Sequence, residues 1–139
     1  PGSYHLYFVE SQGVATRYGV GVGREGFGWT GQAKINMKRD WPDWVPPQEM
    51  IERDPQIRAQ LEPTPRGPGV RGGPKSPLGA RTLYLFGEGR DLGYRIHGTT
   101  EPYTVGTNVS SGCIRMINQD IIHLYARVAL GTPVTVLPV

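Results

Sequence analysis

The chain has 139 residues and a formal charge of +3, from 15 Lys+Arg against 12 Asp+Glu. That length suits one domain over residues 1–139, with a core large enough to need no disulfide or metal staple. At 37% hydrophobic and 19% charged residues the composition excludes a disordered chain, and no apolar run approaches the roughly 18–20 residues of a membrane span.

The basic residues are scattered, without the interleaved aromatics of a nucleic-acid footprint, so no nucleic-acid partner is expected. Pro1-Gly2-Ser3 leads straight into a strand-like run with no basic-then-apolar leader, which reads as a trimmed or mature form. Cys113 is the sole cysteine, so neither an intramolecular disulfide nor a thiolate zinc site can form. His5, His97 and His123 lack metal-ligand spacing. No metal and no cofactor are expected.

In chain order, strands are expected at 4–10, 16–22, 32–38, 82–87, 94–98 and 132–137, each short and rich in β-branched or aromatic residues. A short helix is expected at 47–53, where a proline suits the first turn. From 63 to 79, ten of seventeen positions are Gly or Pro, which predicts one long irregular loop. Trp41 and Trp44, in a Pro-rich segment, read as packing that loop onto the sheet rather than as glycan contacts. A second helix is expected at 118–128. Asn118 is a suitable N-cap, Asp120 lies in the first turn, and Ile121, Leu124, Tyr125 and Val128 repeat at helical spacing. His123 falls off that apolar stripe and reads as a solvated residue. The fold class is therefore mostly β with one or two short helices.

Gly21-Val22-Gly23-Arg24-Glu25-Gly26 matches the G-x-G-x-x-G pattern of phosphate-binding loops. Such loops need a helix opening inside the motif; here turn-forming residues follow, so the stretch reads as a strand end and turn.

Chemistry concentrates between Tyr94 and Asn118. His97 ends an apolar strand and is followed by Gly98; Cys113 lies 16 residues later, after Ser110-Ser111-Gly112 and before Ile114-Arg115. A thiol attacks a carbonyl as thiolate and needs a base or a cation nearby. His97 can be the base and Arg115 adds positive field. Gly112 allows close backbone approach, and the N–H groups of Gly112 and Cys113 can form an oxyanion hole. A buried structural cysteine accounts for the same residue equally well on local chemistry.

His97-Gly98-Thr99, the spacer, and Ser110-Ser111-Gly112-Cys113-Ile114-Arg115-Met116 resemble the signature of L,D-transpeptidase catalytic domains of the YkuD type. Thr30-Gly31 with the strand that follows, the Trp41–Pro47 segment and Pro77-Leu78-Gly79-Ala80-Arg81-Thr82-Leu83-Tyr84-Leu85 also resemble bacterial envelope members, so the likeness covers nearly the whole chain.

The resemblance implies the sandwich-like fold of that family, with Cys113 as nucleophile and His97 as base. It also implies that the Gly98 carbonyl orients the imidazole and that Gly112 and Cys113 hold the oxyanion. Arg115 would fix the loop or a substrate carboxylate, or else serve a structural ion pair. Tyr84 and Tyr103 would line a donor groove, or else act as scaffold. Ser111 stands where the family usually has histidine, which bears on polarity near the thiol and on the acceptor subsite.

The implied activity is acyl transfer on peptidoglycan stem peptides. Position three of a tetrapeptide forms a thioester with release of D-Ala. An amine acceptor then takes the acyl group, giving a 3→3 cross-link or attachment of an envelope protein. The implied location is the periplasm or cell envelope, where a lone thiol avoids intramolecular oxidation. Hydrolysis of the same acyl-enzyme and a non-catalytic wall-binding module are the alternatives.

Overall fold

The computed structural model describes residues 4–23, 29–108 and 113–138. Strands dominate. β1 (His5–Ser11) and β2 (Val14–Gly19) form an antiparallel hairpin. A second sheet has five strands in the order β8-β7-β6-β3-β9. These are β3 (Gly31–Asp40), β6 (Arg81–Gly87), β7 (Arg90–His97), β8 (Ile114–Arg115) and β9 (Pro133–Val136). All its pairings are antiparallel except β7 with β8.

Alternation along these strands separates two faces. Ile35, Leu83, Leu85 and Ile96 turn to one side, where they pack with Tyr18 and Val20 from the hairpin region. A helix, α3 (Asn118–Tyr125), closes that side by burying Ile121 and Leu124. Each of these side chains contributes about 1.5–3 kcal/mol through removal from water. Lys38 and Arg81 sit over the Tyr125 ring, and the Lys38 ammonium donates to the Tyr125 and Val128 carbonyls at 2.7 Å each. Both cations thus sit at the negative end of the α3 dipole.

Two expectations for this helix need correction. It ends at Tyr125 rather than Val128, although Val128 is still buried. Asn118 does not cap it: Ile117 is the cap residue and makes no side-chain bond, while Asn118 Oδ1 accepts the Ala80 N–H at 3.0 Å. His123 is exposed, as expected of a position off the stripe, yet its Nδ1 lies 2.6 Å from the buried Tyr18 hydroxyl.

The first helix, α1, runs Gln48–Arg53, close to expectation. A further one, α2 (Pro55–Gln60), follows at once. Its signal was in the sequence: Asp54 caps it by accepting the Gln56 N–H, and Pro55 stands at the first helical position. The Gly/Pro-rich stretch is not wholly irregular either. It contains a two-stranded hairpin, β4 (Glu62–Thr64) with β5 (Gly67–Gly69). Reciprocal backbone bonds of 2.8 Å join Trp44 to Val70, and Asp43 accepts the Gly72 N–H at 2.7 Å. The Trp41–Trp44 segment therefore packs against this loop.

Candidate active site

β7 ends in His97, and β8 runs parallel to it with Ile96 opposite Ile114 and His97 opposite Arg115. Cys113 is the residue immediately before β8, so this register sets it beside Arg95. The Arg95 backbone N–H bonds to the sulfur, and the Met116 N–H donates to the His97 carbonyl at 2.8 Å. Sequence spacing of 16 residues between His97 and Cys113 is thus closed by one short parallel pairing at the edge of the sheet. Both residues lie away from the apolar face that carries Ile96.

The His97 ring is buried, and its Nδ1 is hydrogen-bonded to the Gly98 carbonyl. A carbonyl only accepts, so the proton sits on Nδ1 and Nε2 is left as an acceptor, the form a general base requires. Gly98 is held from behind. A Cβ there would fall on Asn118 Oδ1 and lie 3.1 Å from the Ala80 nitrogen, and one on Gly79 would meet the same oxygen at 2.5 Å. The close approach of these backbones explains why Asn118 spends its oxygen on Ala80. The Asn118 contact braces the chain that orients the imidazole.

Burial, with the Arg115 and Arg95 charges adding to it, drives the His97 pKa down to about 4, against the Gly98 bond. Burial pushes the Cys113 thiol up, while the Arg95 N–H and the charges of Arg95 and Arg115 pull it back. At neutral pH the two groups are therefore a neutral thiol and a neutral imidazole.

The depressed imidazole has a consequence for stability. In the unfolded chain a histidine titrates near 6.5. As pH falls from there toward 4, the unfolded chain takes up a proton that folded His97 refuses, so stability falls. The full loss amounts to about 3 kcal/mol. Urea midpoints at pH 7 and pH 4.5 should show this decline in the wild type and a shallower one in His97→Gln. Equal slopes would mean that His97 is not held neutral by the fold.

Arg115 is bonded through its backbone to Gly21, with distances of 2.9 and 2.8 Å, and its guanidinium reaches Thr104 Oγ1 at 3.4 Å. It makes no salt bridge among the described residues. Gly21 belongs to the G-x-G-x-x-G stretch, and its role is steric, since a Cβ there would lie 2.7 Å from the Thr104 carbonyl. Val22 and Val20 bond in turn to Thr107 and Gly106. The first half of the motif thus straps down the β7–β8 connection. The described chain resumes at Trp29 and enters β3 at Gly31.

Tyr84 is 2% exposed and lies beneath the Arg95 guanidinium, 4.6 Å from ring centre to cation. It forms the floor of the site rather than an open wall. Tyr103 is 77% exposed in a short 3-10 turn, Pro102–Thr104, with its hydroxyl donating to Glu101 at 2.9 Å. Ser111 and Gly112, named for the acceptor subsite and the oxyanion hole, lie outside the described residues. His5 pairs with Gly19 in the β1–β2 hairpin and tilts against Tyr7.

Two residues here were not singled out in the sequence. Arg95 is one: it lies within the Tyr94–Asn118 stretch, but as a residue inside a strand it carried no signal of its own. Thr82 is the other: it pairs with His97 across β6 and β7 and has zero exposure. Its hydroxyl finds no hydrogen-bond partner among the described residues. The adjacent Gly98–Arg81 backbone bond makes this a non-hydrogen-bonded pair, in which side chains stand close. An unsatisfied buried hydroxyl costs about 1–3 kcal/mol, so Thr82→Val should stabilise the fold by about 1 kcal/mol in urea unfolding. A loss of that size instead would show that the hydroxyl is partnered.

A cavity of about 770 Å³ lies on the core side and is lined mainly by apolar side chains such as Leu6, Phe8, Leu85 and Val134. Neither His97 nor Cys113 lines it.

The model of the L,D-transpeptidase catalytic domain, YkuD, matches residues 1–136. The chain belongs to this family. It is 34% identical over 132 residues to the Probable L,D-transpeptidase YbiS of Escherichia coli strain K12, a match covering 92% of this chain and 39% of that protein. The chain thus spans about two-fifths of the length of such curated relatives.

Among solved structures, a protein of Brucella melitensis described as a probable carnitine operon oxidoreductase is 47% identical. The alignment covers 96% of this chain and 80% of that one, at TM-score 0.56. The catalytic domain of an Enterococcus faecium L,D-transpeptidase, solved acylated by ertapenem, shares the fold. It aligns at TM-score 0.61 and 17% identity over 97% of this chain and 90% of its own.

Proposed function

We propose that this L,D-transpeptidase-family domain acts on peptidoglycan stem peptides in the bacterial envelope, with Cys113 as nucleophile and His97 as base. One observation carries the reading: a buried imidazole, fixed in the Nδ1–H form by Gly98, on the same sheet edge as the chain's lone thiol.

Because thiol and imidazole are both neutral at rest, the proton moves as the sulfur attacks rather than beforehand. The sulfur bonds to the carbonyl carbon of the third stem residue while His97 Nε2 takes the thiol proton. The carbon–nitrogen bond to D-Ala then breaks, and the proton passes to the departing amine. In the second half an acceptor amine attacks the thioester and gives up a proton through His97 to the leaving sulfur. The product is a 3→3 cross-link or an attached envelope protein. One difficult acyl exchange is thus divided into two easier ones.

Gly112 and Cys113 amides would hold the oxyanion. Arg115, with no carboxylate partner among the described residues, would take a substrate carboxylate, and exposed Tyr103 would border the donor path. Tyr84 supports that surface from below. The same sulfur would open a strained carbapenem ring as it passes its proton to His97, and the ertapenem-acylated neighbour supports this extension.

The test is incubation of the protein with a purified tetrapeptide stem and a D-amino acid, followed by mass analysis. Exchange of the terminal residue is expected. A tripeptide alone would point to hydrolysis, and unchanged substrate with retained wall binding would point to a binding module.

A further inference from the structure

The site holds two cations, and they differ in how they are fixed. Among the described residues the Arg115 guanidinium reaches only a threonine hydroxyl, at 3.4 Å. Arg95 is held from two directions. Its guanidinium forks onto the Asp91 carboxylate at 2.7 and 3.0 Å. It also stacks over the buried Tyr84 ring at 4.6 Å. Asp91 is fixed in turn by the Gly93 N–H at 2.9 Å, and its carboxyl is held below the usual range by that bond and by Arg95, against burial. A forked guanidinium on a carboxylate loses little freedom per bond formed, and stacking on an aromatic face adds to the restraint.

We propose that Arg95 is a positioning residue for the acyl-transfer reaction: anchored by Asp91 and Tyr84, it keeps a fixed cation on the face of β7 that carries the thiol. This rests on the reading of Cys113 as nucleophile. The backbone of the same residue supplies an N–H to the sulfur, so one residue fixes the sulfur's place through its main chain and its acidity through its side chain.

The sign of the effect is specific. A cation stabilises thiolate and opposes imidazolium, so Arg95 eases loss of the thiol proton while helping to keep His97 neutral as acceptor. The other groups facing the thiol are His97 on β7 and Arg115 on β8. Tyr103 on the connecting turn lies within range of the Arg115 charge and bonds to Glu101, and Asp91 holds Arg95 from the far side. Tyr84 and Thr82 complete the face from β6.

The experiment is the pH dependence of Cys113 alkylation by iodoacetamide, followed in wild type, Arg95→Gln and Arg95→Lys. None of these changes removes the backbone N–H. In Arg95→Gln the alkaline midpoint should rise by about half to one pH unit, so that alkylation at pH 7.5 slows about three- to tenfold. Arg95→Lys should restore most of that loss, because it keeps the charge while giving up the fork. A role limited to packing would lower Tm in both variants without moving the midpoint. An unmoved midpoint in folded Arg95→Gln overturns the proposal, as does an Arg95→Lys midpoint displaced as far as that of glutamine. Should the glutamine variant fail to fold, the lysine comparison with Arg95→Met decides in the same way. Alkylation needs no stem peptide, so this outcome is independent of the transfer assay that tests the function.

Discussion

Replacing Cys113 with alanine should abolish exchange of the stem peptide's terminal residue and leave a folded protein. The thiol supplies the covalent step, and no second cysteine exists to replace it. The structural loss is small because Cys113 is only partly buried, at the entry to a two-residue strand whose pairing runs through backbone groups. A destabilisation of about 1 kcal/mol, the centre of the usual distribution, is expected.

A carbapenem gives a second readout on the same pair of proteins. Wild type should gain the mass of one opened drug molecule, mapped to the peptide containing Cys113. The adduct should persist, because the opened ring provides no small leaving group and covers the acceptor's approach. The alanine variant should gain nothing. Full turnover in a folded Cys113→Ala protein would falsify the thioester mechanism. A drug adduct elsewhere in the chain would make the cysteine structural.

The parts of this site that could be read from sequence are those written in local chemistry. His97-Gly98 announces an imidazole next to a backbone able to come close to another, and Cys113 is the one thiol the sequence offers beside it. The apolar alternation of Thr82-Leu83-Tyr84-Leu85 places a central strand, and the helical spacing of Ile121, Leu124 and Tyr125 places the helix that covers it.

What sequence did not disclose is what register creates. Arg95 looks like an ordinary outward residue of a strand until β8 pairs parallel to β7 and sets Cys113 beside it. Asn118 obeys every rule for a helix cap, yet its oxygen is drawn to Ala80 by the tight meeting of Gly79 and Gly98, a contact between segments far apart in the chain. Tyr84 could be read as groove lining or as scaffold, and a guanidinium held from Asp91 roofs it as scaffold. In each case a long-range contact outbids a local preference, and only the assembled sheet contains it.

The second large effect concerns His97, where position and protonation can be separated. His97→Ala should slow acylation by about 10²–10⁴-fold, the usual worth of a positioned base, while the stem peptide still binds. Substrate binding and rate should therefore part company in a single-turnover measurement. The wild-type pH profile carries independent information. A base must be neutral to accept a proton, and a solvent-exposed histidine would be mostly protonated at pH 5.5. Burial and the two arginines hold this one down to about 4, so the acid limb of the acylation rate should lie well below 6.5. Its midpoint belongs to the Cys113/His97 pair rather than to one member. In His97→Ala that acid limb should vanish, leaving a slow reaction that climbs with pH as the unassisted thiol ionises. A loss of less than tenfold, or an acid limb that survives the substitution, would assign the proton transfer to another group.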